Sequence, residues 1–333
     1  TRLINCFQEV RRIDAELILW RLSEAIEAHN AILACCHIQV IFPQLQGLNV
    51  IFNETRDLSA QGVQDLLTPL LSPGLTTIEV KSVCGDTIPM HNVFPMISSQ
   101  VKGLQELSLP QLTGDGHSGT WLAGLRTLTL KEMHSAEDVF TVERMAGLQH
   151  LRISSQSRQL PNLALTAGAH KAGMRDGALP VLATIDLTAK RVEALGSLLL
   201  MLPPTLPLRS CKIFLRIADE SWYEICAVLA TAFDPTTFHH HRLGIGYESN
   251  DPEPLSDWRS AGLQRGQLDF LARYKNLQTL DFSADTVDGF WIHLDDNDIR
   301  NLAMSCPELC KLIIEASNEQ TEANITLQSL MYL

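Results

Sequence analysis

Aromatic residues are scarce in this chain, at 6% of 333 positions, and several marks of specialised function are missing altogether. No block of Lys or Arg occurs and the formal net charge is −12. Such a chain repels phosphate backbones, so no nucleic-acid partner is expected. Long hydrophobic runs are absent too. The most apolar stretch, Ala194 to Leu208, is interrupted by Pro203, Pro204 and Pro207 and is too short to span a bilayer. No secretory signal is visible, and no membrane partner is expected. The eight cysteines (Cys6, Cys35, Cys36, Cys84, Cys211, Cys226, Cys306 and Cys310) lack the density of a small secreted disulfide scaffold, and several sit inside apolar runs. A reducing compartment, cytosol or nucleus, is the expectation. Asn53-Glu-Thr55 and Asn324-Ile-Thr326 match the glycosylation sequon, a triplet that recurs often by chance.

Signatures of catalysis and of bound cofactors are equally thin. There is no Gly-x-Ser-x-Gly elbow and no His-Glu-x-x-His. The run Gly114-Asp-Gly116-His-Ser-Gly119 has no Gly-Lys-Ser/Thr behind it and is expected to be a loop, not a phosphate cradle. His239, His240 and His241 are consecutive, so in a strand they point to alternate faces and cannot easily share one ion. The stretch His293-Leu-Asp295-Asp296-Asn297-Asp298 lacks the Gly and distal Glu of a calcium loop, and Asp296 or Asn297 is expected to cap a helix. Cys306 and Cys310, like Cys35 and Cys36, have no second ligand pair for zinc. No metal, no cofactor and no enzymatic activity are therefore expected.

What the chain does have is a repeat. Leu-x-x-Leu-x-Leu, with Ile, Val, Cys or Phe substituting, is clearest at Leu104-x-x-Leu107-x-Leu109, Leu125-x-x-Leu128-x-Leu130 and Leu148-x-x-Leu151-x-Ile153. Further copies open at Leu45, Leu75, Leu182, Leu208, Leu277 and Leu309, and a weaker one ends at Leu243-x-Ile245. Residues alternating at period two face one side of a strand. A strand this short buries one face and completes no core alone, so the apolar rows become continuous only when neighbours stack. Between ladders lie segments with helical spacing: 57–71, 189–202, 219–233 and 296–306. Several are followed by Pro or Gly, as at Pro73-Gly74, Pro203-Pro204 and Pro307.

Strand, loop, helix, loop repeated at this spacing predicts an α/β leucine-rich-repeat solenoid, or horseshoe. Its parallel sheet would line the concave face and its irregular helices the convex face. The competing fold is a doubly wound α/β domain, which lacks the Gly-Leu-x-x-Leu opening seen at Gly103, Gly124 and Gly147. Units after 104 and 125 are short, and 160–179 and 248–260 read as insertions. Residues 1–40 are expected to form a helical cap, with Ile13, Leu17, Leu19, Leu22 and Ile26 apolar. Residues 41–333 are expected to be divergent repeats, truncated at the C-terminus. Trp121, Trp222, Trp258 and Trp291 are expected in core or convex-side packing.

Positions flanking the ladder apolars point away from the core. The candidate partner-binding face comprises Glu106, Ser108, Thr127, Thr129, Lys131, His150, Arg152, Thr184, Asp186, Lys212, Phe214, Thr279 and Asp281, with Lys311 beyond them. The surface is mixed in charge and short of the aromatics that anchor interfaces.

Two stretches carry a resemblance. Phe42-Pro43-Gln44-Leu45-Gln46-Gly47-Leu48, followed by Leu70-Leu71-Ser72-Pro73-Gly74-Leu75-Thr76-Thr77-Ile78, resembles fungal F-box proteins with divergent leucine-rich repeats. Leu302-Ala303-Met304-Ser305-Cys306-Pro307-Glu308-Leu309-Cys310-Lys311-Leu312 is similar to the cysteine-containing repeat of F-box proteins generally, and Ile325 to Leu330 to the helix of a following unit. The resemblance covers residues 40–333 and implies a substrate-recruiting repeat domain of a ubiquitin-ligase adaptor. No F-box is found in residues 1–39, so a Skp-type adaptor is implied as partner only with an F-box upstream of Thr1. A repeat scaffold or signalling protein outside ubiquitin ligation is the alternative.

Overall fold

In a computed structural model the described residues are 10–17, 42–52, 60–82, 93–112, 123–133, 141–155, 177–189, 192–203, 206–215, 235, 242–247, 262–263, 266–283, 291–292 and 294–315. The chain forms two compact units, Thr1–Leu148 and Gln149–Leu333.

In the first unit, strands β1 (Arg12–Leu17), β2 (Gly47–Phe52), β3 (Thr77–Ser82), β4 (Glu106–Gln111) and β5 (Thr127–Glu132) lie side by side in chain order, each paired in parallel with the next. In the second, β6 (His150–Ser155), β7 (Thr184–Ala189), β8 (Ser210–Leu215), β9 (Arg242–Tyr247), β11 (Thr279–Ser283) and β13 (Lys311–Glu315) do the same. Short strands β10 (Gly262–Leu263) and β12 (Trp291–Ile292) pair separately. Strands that neighbour one another in chain order, without the reversal that defines a doubly wound sheet, are the signature of a solenoid. The fold is a leucine-rich-repeat α/β solenoid. The nine full ladders each become one of these strands, starting two residues after the first apolar position, and the weaker copy ending at Ile245 becomes β9.

The reason is visible in the burial. Leu48, Val50 and Phe52 of β2 are shut off from solvent, and so are Ile185, Leu187 and Ala189 of β7. Register keeps the rows aligned: Ile13, Leu48, Ile78, Leu107 and Leu128 fall in one row of the first unit, and Leu151, Ile185, Cys211, Leu243, Leu280 and Leu312 in one row of the second. The leading Leu of a ladder turns the chain into its strand. The amide N–H of Leu45 donates to Phe42 O at 3.1 Å, that of Leu182 to Leu179 O at 3.1 Å and that of Leu309 to Cys306 O at 3.0 Å. A second backbone device recurs one residue later. The carbonyl of Gln46 accepts from both Thr76 N and Thr77 N at 2.9 and 3.0 Å, and that of Gln278 from Cys310 N and Lys311 N at 2.9 and 3.1 Å. One carbonyl thus ties two consecutive amides of the next repeat, satisfying backbone groups that the turn into the strand would otherwise leave unpaired.

Behind the ladders, α1 (Ala60–Leu67) runs into a 3₁₀ turn at Thr68–Leu70, within the helix predicted over 57–71. The second predicted helix appears as α3 (Val192–Met201) and the fourth as α4 (Asp296–Ser305); the one predicted over 219–233 lies outside the described residues. Val63, Leu67, Leu195 and Leu199 are as buried as the ladder residues, so the core lies between helices and sheet. A helix the sequence reading missed, α2 (Val93–Gln100), buries Met96 and Ile97.

Two expectations are corrected. Residues 12–17, assigned to a helical cap, form strand β1 instead, paired in parallel with β2 from Arg12↔Gly47 to Leu17↔Phe52. Val10-x-x-Ile13-x-Ala15 has the ladder spacing, and the edge of β2 offers it a row of backbone groups to pair with. The expected boundary at residue 40 lies outside the described residues. The cap of α4 is Asp295, not Asp296 or Asn297: the cap residue must be extended while its successors are helical, and Asp295 has φ −121° and ψ 179°. Its carboxylate accepts from Asn297 N and Asp298 N at 2.9 and 3.1 Å, and Asp298 accepts from Asp295 N at 2.9 Å.

Candidate functional site

Alternation puts every other strand residue on the open face of the sheet, and each candidate named from the sequence lies there. In the first unit, Glu106 is exposed and Ser108, Thr127, Thr129 and Lys131 are half-buried. In the second, His150 and Arg152 are exposed, Thr184, Asp186, Lys212, Phe214 and Thr279 half-buried, and Asp281 is 8% exposed. Lys311 is exposed. The register arranges them in columns running across the strands.

In the second unit one column reads Arg152, Asp186, Lys212, Gly244, Asp281, Ile313. Two of its adjacent members close on each other: Arg152 Nη2 donates to Asp186 Oδ2 at 2.8 Å and Nε to the same oxygen at 3.2 Å. The Arg152 side chain is 61% exposed and that of Asp186 15%. The next column reads Ser154, Thr188, Phe214, Gly246, Ser283, Glu315, which sets Phe214 beside a glycine. Beneath this face Cys211 is buried. Its thiol is pushed up to about 12, first by burial and then by the negative charge of Asp186. Burial likewise pushes the Cys306 thiol up to about 11. Both are protonated packing residues at neutral pH, poor nucleophiles and poor metal ligands.

In the first unit the outermost column reads Arg12, Gly47, Thr77, Glu106, Thr127, and the next Asp14, Asn49, Glu79, Ser108, Thr129. Gly47 leaves a gap in the outermost column, and a pocket of about 310 Å³ opens over it, bordered by Arg11, Arg12, Asn49, Thr77, Glu79 and Glu106 among others. The aliphatic stem of Arg12 lies against the missing Gly47 side chain, its Cγ 3.6 Å from where a Cβ would stand. On the far wall Thr77 Oγ1 donates to Glu106 Oε2 at 3.5 Å, and Lys81 Nζ pairs with Glu79 at 2.8 Å. Asn49 Oδ1 is buried and accepts no hydrogen bond. Sequence reading found Glu106 but missed this pocket. Its signal, an Arg, a Gly and a Glu at the same register position on three strands, requires knowing that residues 12–17 are a strand.

The remaining singled-out features divide simply. Asp295 and Asp298 are occupied by helix capping, and Asp298 Oδ1 also accepts from Gly266 N at 3.2 Å. Among the described residues no group of three His, Cys, Asp or Glu side chains is placed to hold a metal, and no helix is long and apolar enough to cross a membrane. Cys306 is buried and Cys310 exposed. Trp291 lies in β12. His239–His241, Gly114–Gly119, Cys35, Cys36, Trp121, Trp222 and Trp258 lie outside the described residues.

No family model and no curated protein matches the chain. Among solved structures it is similar to a leucine-rich-repeat protein of Leptospira interrogans. The two are 13% identical, the match covers 97% of this chain and 87% of that one, and the TM-score is 0.32. The class assigned above, a leucine-rich-repeat protein, rests on strand order, register and burial.

Proposed function

We propose that this chain is a non-enzymatic protein-binding repeat domain that holds its partner on the open face of the sheet. The observation that carries the reading is the contrast across each strand. On the ladder side apolar residues such as Leu48, Leu128, Ile185 and Leu280 are buried, whereas the open side carries charged, hydroxyl and aromatic residues, most of them half-buried or exposed. A face of that kind offers evenly spaced side chains on a rigid platform, which suits recognition of an extended protein surface. Replacing Arg152 and Lys212 together by Glu is expected to leave the thermal midpoint nearly unchanged while abolishing capture of the partner by full-length protein. Unaltered capture by that variant and by matching substitutions at Thr129 and Lys131 would refute the reading.

The finer proposal, that the partner is a substrate delivered to a ubiquitin ligase, rests on the resemblance of the 42–78 and 302–312 stretches to F-box repeat proteins. Full-length protein purified from cells is expected to bring down a Skp-type adaptor and a cullin. Their absence would leave a repeat scaffold outside ubiquitin ligation.

A further inference from the structure

Two glycines stand at consecutive open-face positions of β9, in the run Arg242-Leu243-Gly244-Ile245-Gly246-Tyr247. A glycine inside a strand weakens it, because it loses more backbone entropy and packs no side chain. Its usual reasons do not apply here. The register with β8 and β11 runs unbroken through both glycines, so neither marks a bulge. Among the described glycines only Gly177 and Gly266 have positive φ, so neither serves a left-handed turn. The helices lie behind the ladders, so neither makes room for one. What remains is the close approach of another group to the bare backbone.

One wall of this bare track is β8. Lys212 flanks Gly244 and Phe214 flanks Gly246, both half-buried. Lys212 makes no ion pair among the described residues, and the neighbouring Asp186 is already held by two bonds from Arg152. The wall therefore carries a net positive charge beside an aromatic ring, a residue type enriched at interfaces. Across Gly244, Asp281 stands on β11 at two strand spacings from Lys212, roughly 9.6 Å at ~4.8 Å each. A carboxylate there directs an anionic group to the β8 side. We propose that the track along β9 takes an extended segment of a partner protein carrying an acidic residue and, two positions on, an apolar one. The acidic side chain meets Lys212 and the apolar one meets Phe214. Residues two apart in an extended segment point to the same side at ~6.8 Å, the spacing that separates Lys212 from Phe214 along β8. The proposal rests on the reading of the open face as a protein-binding surface and specifies what one part of it selects.

The test uses three labelled heptapeptides and fluorescence anisotropy on the full chain. The peptides are Ser-Thr-Glu-Thr-Leu-Thr-Ser and its counterparts with Lys in place of Glu or Ser in place of Leu. The Glu/Leu peptide is expected to bind about tenfold more tightly than either counterpart, with its advantage over the Lys peptide shrinking as salt rises. Lys212→Glu is expected to transfer the preference to the Lys peptide. Gly246→Val, which fills the track, is expected to weaken binding by about tenfold while leaving the thermal midpoint unchanged or raised, since a β-branched residue suits a strand. Equal affinity for all three peptides, no binding at all, or an unchanged preference in Lys212→Glu would overturn the proposal. So would a sharp fall in the Gly246→Val midpoint, because the chain's own side chains would then fill the track. If the proposal fell while Arg152→Glu/Lys212→Glu still abolished partner capture, the open-face reading would stand without it. If that variant also captured partner normally, both would fall.

Discussion

The open faces of the two units handle charge differently. In the second unit opposite charges are adjacent in one column, and Arg152 closes on Asp186 at 2.8 Å. In the first unit Arg12 and Glu106 share a column with Gly47 and Thr77 between them, the column running on to Thr127, and a pocket opens above the glycine. The backbone repeat beneath is the same in both: apolar rows in register and one carbonyl tying two amides of the next repeat. The repeat therefore fixes where open-face side chains stand. The identity of three or four residues in a column decides which charges stand next to one another.

That comparison presumes an equivalent ladder under both faces, which gives the largest expected effect. Phe52→Ala in the first unit and Phe282→Ala in the second, both essentially inaccessible, should each destabilise by about 3–5 kcal/mol in urea unfolding. Phe214→Ala, on the open face, should fall well below that. Tolerance of either ladder substitution would break the equivalence.

Next come the glycines that open the repeats. A Cβ at Gly147 would stand 2.3 Å from the backbone oxygen of Ala123, whereas one at Gly124 would stand 3.8 Å from that of Leu104. Gly147→Ala should therefore lower stability by about 1–3 kcal/mol through forced backbone movement, and Gly124→Ala should change it little. Equal midpoints for the two variants in thermal unfolding would contradict the close approach.

Another effect belongs to the second unit and appears only in alkali. Burial raises the acid groups of Cys211 from 9.0 to about 12, of Cys306 from 9.0 to about 11 and of Tyr274 from 10.0 to about 12. Between those limits the folded chain holds protons that the unfolded chain has released, so the slope of stability with pH is negative. The stabilisation is intact below pH 9.0 and is lost as pH rises toward 11–12. Denaturation midpoints measured from neutral to alkaline pH should fall, and Cys211→Ala should flatten the fall while lowering the neutral value. A rise with pH would reverse the assigned sign.

The smallest effect is that of the surface pair. With the Arg152 side chain 61% exposed, Arg152→Ala should change stability by less than about 1 kcal/mol. A larger loss would mean that the second unit's column is a structural element and not a surface available to a partner.

The sequence discloses one side of this molecule far better than the other. Ladder residues such as Leu107, Leu128 and Ile185 are legible because the core demands an apolar group at each, and that demand repeats in phase. β1 escaped because Ala15 is a weak ladder residue and the charges around it mimic an amphipathic helix. α2 escaped because Pro95 sits in its first turn and serines occupy its last, which dilutes the helical pattern. The candidates from Glu106 to Asp281 were legible by parity alone, since a residue beside a ladder position faces away from the core. The pocket was not, because Arg12, Gly47 and Glu106 lie far apart in sequence and only the pairing of β1 with β2 aligns them. Nor was the protection of Asp281, which parity puts on the open face but which its surroundings bury to 8% exposure.

We propose that the open face, and not the helix side, meets the partner. Photo-crosslinking in cells tests it most directly, with a photoreactive residue placed at Thr129 or Lys212 on the open face and at Asp65 in α1 or Asn301 in α4 on the helix side. Discrete protein adducts are expected from the two open-face positions and none from the two helix positions. Adducts confined to Asp65 and Asn301 would contradict it.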